Sequence, residues 1–166
     1  MKYSWSDYTT NDIKLVEGFL DDEAVLFTGC DDGWNSFYEY WKNEPEMALG
    51  KNFWCKVVSE ADVPIAAIAF SVCEDILTVM EIVVAPGKRN HGYGSAILTE
   101  LLHNGAEILG FDIRRAKAVI YPNNFASQKL FRKVGFVFDH ALADNDAYIY
   151  SYRKPCDQGI VRQADI

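Results

Sequence analysis

The sequence predicts one α/β domain, a mixed β-sheet with helices on its faces. Three observations lead there. The chain has 166 residues and 49% apolar content, enough to bury a full core in one domain. Apolar, β-branched runs at 53–59, 65–73 and 76–84 read as consecutive strands. Beyond them Ile97, Leu98, Leu101, Leu102, Ile108 and Leu109 recur at helical spacing before a further strand pattern at 116–121. Strand, helix, strand in that order is α/β grammar.

Element by element, residues 2–8 suit a short first strand. Asn11-Asp12 offers a cap for a helix carrying Leu15, Val16, Phe19 and Leu20. One or two short helices are expected around Trp34 to Trp41, inside an acidic, aromatic window that Pro45 closes. The strands 53–59 and 65–73 are joined by the turn-like Glu60-Ala61-Asp62-Val63-Pro64, and the third strand, 76–84, follows. A polar, glycine-rich loop spans 85–94; the helix from Ser95 ends at Gly110. Pro122-Asn123-Asn124 opens a helix through Leu130, Phe131 and Val134 that Gly135 stops. Residues 136–139 and 147–152 close as two strands. The domain is expected to run from 1 to 154, with 155–166 a weakly patterned tail.

Composition excludes several classes of function. Sixteen basic against 24 acidic residues give a net charge of −8, unsuited to a protein that tracks nucleic-acid phosphates and suited to attracting cations. No run approaches the ~18 to 20 apolar residues of a membrane helix. The N-terminus lacks the apolar stretch and cleavage site of a leader, so the expected location is cytoplasmic. Cys30, Cys55, Cys73 and Cys156 are far apart, without a C-x-x-C pair and with only three histidines, so no metal is expected. Cys55 and Cys73 lie in apolar runs and read as small hydrophobes.

Strand, Arg89-x-x-Gly92-x-Gly94, helix is an arrangement that can hold phosphate. Glycines let the backbone approach a ligand, and the free N–H groups of a first helical turn favour an anion. Arg89 adds a charge able to pair with phosphate oxygens. Simple turn chemistry is the plain alternative. Two phosphate loops are excluded: no Gly-Lys-Ser/Thr occurs, and Ile97 stands where a G-x-G-x-x-G fingerprint needs its third glycine.

The stretch Val84-Ala85-Pro86-Gly87-Lys88-Arg89-Asn90-His91-Gly92-Tyr93-Gly94 resembles the acetyl-CoA pyrophosphate loop of the GNAT acetyltransferase superfamily, Gln/Arg-x-x-Gly-x-Gly/Ala. Thirty-five residues after Arg89, Asn124-Phe125-Ala126-Ser127-Gln128-Lys129-Leu130-Phe131-Arg132-Lys133-Val134-Gly135-Phe136 resembles the family's second signature. The resemblance covers about 65–152. It implies a centrally splayed sheet flanked by helices on both faces, with acetyl-CoA as co-substrate. The cofactor's pantetheine arm would lie between the strands 76–84 and 115–121. It also implies cofactor contacts from Ile82, Val83 and Val84 on the first strand and from Arg89, Asn90, His91, Gly92, Tyr93, Gly94 and Ser95 in the loop. Asn124, Ser127 and Phe131 would complete the set. For Asn124 and Ser127 the alternative is plain helix capping.

Acetyl transfer to an amine needs a base, an oxyanion donor and a departing thiolate. Glu81, a lone carboxylate in an apolar strand, is the candidate base; burial would raise its pKa toward neutrality. A solvent-facing or paired Glu81 is the alternative. The backbone N–H of Val83 or Val84, freed at a bulge, is the expected oxyanion donor. Phe131 stands where many family members carry a Tyr that protonates the thiolate. Tyr121 and the alternating Tyr148, Tyr150 and Tyr152 are substitutes to consider; the trio reads better as one packed strand face.

The window 21–47 carries eight acids against one base, Lys42, and holds Phe27, Trp34, Phe37, Tyr38, Tyr40 and Trp41. In the family this region covers the acceptor, and carboxylates with aromatic faces suit a small cationic amine. A solvated acidic face over an aromatic core patch is the alternative. Three classes therefore stand: transfer to a small amine, transfer to a protein N-terminus or lysine, and a non-catalytic acetyl-CoA-binding module. The sequence leaves a homodimer open.

Overall fold

Extended, β-branched segments build the centre of the molecule. The computed structural model describes residues 2–44, 52–143 and 146–155. Its strands are β1 (Ser4–Asp7), β2 (Phe53–Glu60), β3 (Val63–Cys73), β4 (Ile76–Val84), β5 (Arg115–Ile120), β6 (Val137–Ala141) and β7 (Tyr148–Arg153). They form one sheet in the order β1-β2-β3-β4-β5-β7-β6. Every pair is antiparallel except β4 with β5, which are parallel.

Two tight turns set the register of the central hairpins. Ala61 and Asp62 (φ 49° and 64°) and Glu74 and Asp75 (φ 49° and 63°) are left-handed pairs, whose twist matches that of the flanking strands. The first turn is thus shorter than the five residues expected, because the ladder extends to Glu60 and resumes at Val63.

Helices cover both faces. On one, α1 (Ile13–Glu17), α2 (Asp22–Val25) and α3 (Trp34–Asn43) accompany a core that includes Val16, Trp34, Phe37, Ala67 and Val83. On the other, α4 (Tyr93–His103), α5 (Gly105–Leu109) and α6 (Phe125–Lys133) accompany Phe70, Leu77, Leu98, Leu101 and Phe131. Residues 65–71 of β3 are buried without interruption, as a strand covered on both faces must be. Among the described residues, no helix is long and apolar enough to cross a membrane.

Several expectations are corrected. Thr9, not Asn11-Asp12, caps the first helical segment, in a capping box with Asp12, and the helix stops at Gly18 before Phe19 and Leu20. The helix before Gly110 starts two residues early, at Tyr93, and breaks at Asn104. Gly105 there lies so close to Ile113 that a Cβ would come within 2.7 Å of its side chain. Cys73 ends β3 exposed, whereas Cys55 is buried as expected. Pro45, Cys156 and the tail from 156 onward lie outside the described residues.

One irregularity positions the site. Ala69 faces Glu81 and Phe70 faces Val79, so Met80 is an extra residue, a β-bulge in β4. Before it Leu77 and Val79 point toward α4 and α6; after it Ile82 and Val84 do, while Val83 joins the opposite core. A bulge both bends a strand and re-phases it. Pairing of β4 with β5 ends at Val79–Ala118, although β4 continues to Val84 and β5 to Ile120. Past the bulge the two parallel strands part.

Candidate active site

A cavity of about 740 Å³ opens where β4 and β5 separate. Of the residues expected at the site, Glu81, Ile82, Val83, Val84, Arg89, Asn90, Gly92, Tyr93, Gly94, Ser95, Asn124, Ser127 and Phe131 all line it. His91 does not; it is exposed, and its ring Nδ1 bonds the Arg89 carbonyl.

The loop forms one end. Gly92 is the N-cap of α4 at φ 85°, a left-handed conformation that glycine adopts without strain. The first intrahelical bond runs from Ala96 N–H to Gly92 O (3.0 Å), which leaves the N–H groups of Tyr93, Gly94 and Ser95 ahead of the ladder. The Ser95 hydroxyl donates to Gly92 O at 2.9 Å. The second glycine has a different task. A Cβ on Gly94 would lie 3.4 Å from both methyls of Leu130, so this glycine sets the close approach of α4 and α6. The Tyr93 ring is turned away and its hydroxyl donates to Glu60 Oε2 (2.6 Å), so only its backbone serves the loop.

Arg89 is corrected. Its Nε donates to Val84 O (3.0 Å), Nη2 to Phe19 O (2.7 Å) and Nη1 to both oxygens of Asp21 (2.8 and 2.6 Å). The guanidinium is committed to protein. Lys88, Lys129 and Lys133 line the cavity as well and carry positive charge there.

Across the gap, Asn124 is a buried N-cap for α6: its Oδ1 accepts from Ser127 N–H at 3.0 Å. Capping uses the oxygen alone. Among the described residues its amide nitrogen has no protein acceptor, and the residue lines the cavity, so capping and ligand contact are compatible.

Strand register decides which backbone groups face the opening. Ala85 N–H donates to Ile65 O (2.8 Å), one step past the pair Ala66–Val84. Bonded and non-bonded pairs alternate along an antiparallel ladder. Val83, opposite Ala67, therefore directs its N–H at β3 and is not an oxyanion donor. Ile82 and Val84 direct theirs into the gap, consistent with the Arg89 bond to Val84 O.

Because of the bulge, Glu81 points to the α1–α3 side of the sheet. Its Oε1 accepts from Gly29 N–H at 2.7 Å. Burial pushes its pKa up from 4.5 to about 7, against the opposing pull of the Gly29 bond. Nearby Cys30 is buried, and its thiol is pushed up to about 12 by that burial and then by the Glu81 charge. Among the described residues, no cysteine or histidine lines the cavity.

The tyrosine trio is core, as the alternation suggested. Tyr150 is fully buried, its hydroxyl bonded to Gln128 and Arg132, and Tyr152 and Tyr148 pack on the same cluster. Tyr121 alone among the proposed substitutes lines the cavity. Phe131 is 4% exposed, edge-on to Phe136 at 4.9 Å. The ring volume barely changes on adding a hydroxyl, so Phe131→Tyr should leave turnover unchanged or raise it by less than about tenfold. Steady-state turnover with acetyl-CoA affinity measured in parallel checks this; a large loss with affinity intact would give the position another task.

Sequence reasoning missed the near wall, made by Glu23, Ala24, Phe27, Thr28 and Gly29. Of the acids in the window 21–47, Glu23 alone lines the cavity among those described, and Asp21 is spent on Arg89. Trp34 and Phe37 are core, with Tyr38 and Trp41 packed against them, so most of the window is an acidic surface over an aromatic core. Among the described residues, no group of three or more His, Cys, Asp or Glu could hold a metal ion.

Residues 17–136 match the model of the Acetyltransferase (GNAT) family. No curated protein sequence matches the chain. Solved structures of like fold include a domain from Methanocaldococcus jannaschii DSM 2661, with 19% identity over 92% of this chain and 99% of that one (TM-score 0.69). Spermidine N-acetyltransferase from Vibrio cholerae in complex with CoA and spermine shares 13% identity over 92% and 95% (TM-score 0.69). The ribosomal-protein-S18-alanine N-acetyltransferase from Escherichia coli shares 17% over 91% and 93% (TM-score 0.63). At such identities these likenesses concern the fold, whereas the family match spans more than half the sequence and carries both motifs. The chain belongs to the GNAT acetyltransferase family.

Proposed function

We propose that this acyltransferase moves an acetyl group from acetyl-CoA to a primary amine by direct attack, and that the amine is small and cationic. The observation that carries the reading is Glu81, a half-buried carboxylate with a pKa near neutrality on the wall of the cavity between the parted strands.

The residues fit the co-substrate. The N–H groups of Tyr93, Gly94 and Ser95 with the α4 dipole suit a pyrophosphate, and Lys88, Lys129 and Lys133 suit further phosphate charge. Ile82 offers its strand-edge groups and Val84 its N–H to an extended amide arm, and Asn124 a side-chain amide. Acetyl-CoA, when bound, supplies an activated acetyl thioester.

The chain's own part is threefold. Glu81 accepts a proton from the incoming ammonium, directly or through a water, because its pKa lets it be a carboxylate at neutral pH. The Ile82 and Val84 N–H groups donate into the gap where negative charge develops. Tyr121, which lines the cavity, can offer its hydroxyl proton to the departing sulfur, although a thiol of pKa near ~8.5 leaves tolerably without help. Direct attack is favoured over a covalent enzyme intermediate, since among the described residues no cysteine lines the cavity and Cys30 is buried and protonated.

A cationic acceptor is supported by two carboxylates, Glu23 and Glu81, and the Phe27 ring on one wall. The two named enzymes of like fold are a spermidine and a ribosomal-protein-S18-alanine N-acetyltransferase, so fold does not choose between acceptors. Release of CoA thiol across diamines, polyamines, aminoglycosides, neutral primary amines and peptides with free N-termini or lysines is the test. Turnover should be highest with small cationic amines. Turnover confined to peptides would overturn the acceptor, and none with acetyl-CoA bound would reduce the protein to a binding module.

A further inference from the structure

We propose that Arg89 and Asp21 form a positioning strut that holds the acceptor-side segment 19–29 against the cofactor loop, and that Arg89 is not a phosphate ligand. This rests on the acetyltransferase reading of the cavity and adds a role to residues that reading leaves unexplained.

Each of the three guanidinium nitrogens of Arg89 donates to the protein. Two of its bonds go to backbone carbonyls, Val84 O at the end of β4 and Phe19 O beyond α1, and the third pair goes to Asp21. Swinging toward a phosphate would orphan both carbonyls, a cost that buried acceptors do not readily bear. The side chain is only 22% exposed. Asp21 extends the grip: the same carboxylate caps α2 by accepting from Ala24 N–H at 2.9 Å.

The far end of the segment is anchored to the same strand, through Gly29 N–H and Glu81 Oε1 at 2.7 Å. Between the two anchors lie Glu23, Ala24, Phe27 and Thr28, which wall the cavity. With only four residues, α2 cannot hold its own shape, so its placement comes from its tethers. Arg89 thereby links the loop that receives the cofactor to the wall that receives the amine, and indirectly sets the Gly29 bond on Glu81.

Asp21→Asn, Arg89→Lys and Arg89→Gln test this in the full chain. Three readouts are needed: calorimetric affinity for acetyl-CoA and for S-acetyl-pantetheine, which lacks the pyrophosphate; amine KM and kcat against pH; and amide hydrogen exchange over 19–29. A strut predicts acetyl-CoA affinity within about threefold of the parent, and amine KM raised by about 10- to 100-fold, the scale of a lost charge-assisted bond. Exchange across 19–29 should quicken in all three variants. The pH limb should move above that of the parent, because a loosened Gly29 N–H no longer holds the Glu81 pKa down. Lysine should not rescue Arg89, since it cannot span Asp21, Phe19 O and Val84 O at once.

Two results would overturn the strut. One is a loss of acetyl-CoA affinity in Arg89→Gln of about 30-fold or more that spares acetyl-pantetheine, is restored by lysine and is absent in Asp21→Asn, which marks a phosphate ligand. The other is parental KM, pH limb and exchange in Asp21→Asn. Exchange and cofactor binding need no acceptor, so the strut stands or falls even where the amine panel yields no turnover.

Discussion

Replacing Glu81 by Gln should lower turnover by about 10²- to 10⁴-fold while leaving acetyl-CoA affinity near that of the parent. The amide keeps the volume of the acid and an oxygen for the Gly29 N–H, so shape is preserved and only proton acceptance is lost. The parent's kcat should rise with pH through a limb near pH 7, the value to which burial pushes the carboxyl. In the variant that limb should vanish, and the remaining rate should follow the amine's own deprotonation. Parental rates from Glu81→Gln near neutrality would end the base assignment.

The same group makes a stability statement of fixed sign. Folded Glu81 holds its proton to about pH 7, whereas unfolded it releases the proton near 4.5. Between those values the folded state binds more protons, so the contribution is fully present below about 4.5 and is lost as pH rises through about 7. The full swing is about 3 kcal/mol as an upper bound. Melting curves from pH 4 to 8 should therefore show the parent losing ground to Glu81→Gln as pH rises. Parallel curves would mean that the carboxyl is not desolvated.

Legibility differed between the two halves of the site for physical reasons. The loop and α6 were readable because their chemistry is local: glycines, a cap and a helix start lie within a few residues of one another. Glu81 was readable because a carboxylate is costly to place in an apolar strand, so a lone one there signals a task. The facing of Val83 was not, since it depends on one extra residue, Met80, that shifts the phase of β4 and leaves no mark in the hydrophobic pattern. The partners of Arg89 were not legible, because Asp21 and Phe19 lie about seventy residues away in sequence. The near wall of the cavity was missed for a like reason. Residues 22–29 carry no periodicity of their own and are placed by tethers at Asp21 and Gly29. Aromatic residues in the acidic window suggested a ligand surface, yet most pack beneath α3, since burying rings is the commoner use of them.

Replacing Gly92 by Glu should weaken acetyl-CoA binding by about 100-fold or more, through two separable effects. The first is conformational. Gly92 caps α4 at φ 85°, where an L-residue costs roughly 1–2 kcal/mol, so the loop is driven to relax and to re-aim the N–H groups of Tyr93, Gly94 and Ser95. The second is electrostatic: a carboxylate would stand among amide dipoles arranged for an anion and would compete with the pyrophosphate. Crowding within the protein is not the cause, because a Cβ at Gly92 would meet nothing within 4 Å. Gly92→Ala carries the strain without the charge, so it should lose stability by roughly 1 kcal/mol and bind between parent and Gly92→Glu. Gly94→Ala makes the contrast. It sits in regular helix against the Leu130 methyls at 3.4 Å, so its cost should fall on α4–α6 packing and melting temperature rather than on affinity. Calorimetric titration of the three variants with acetyl-CoA separates these effects, and parental affinity in Gly92→Glu would place the pyrophosphate elsewhere.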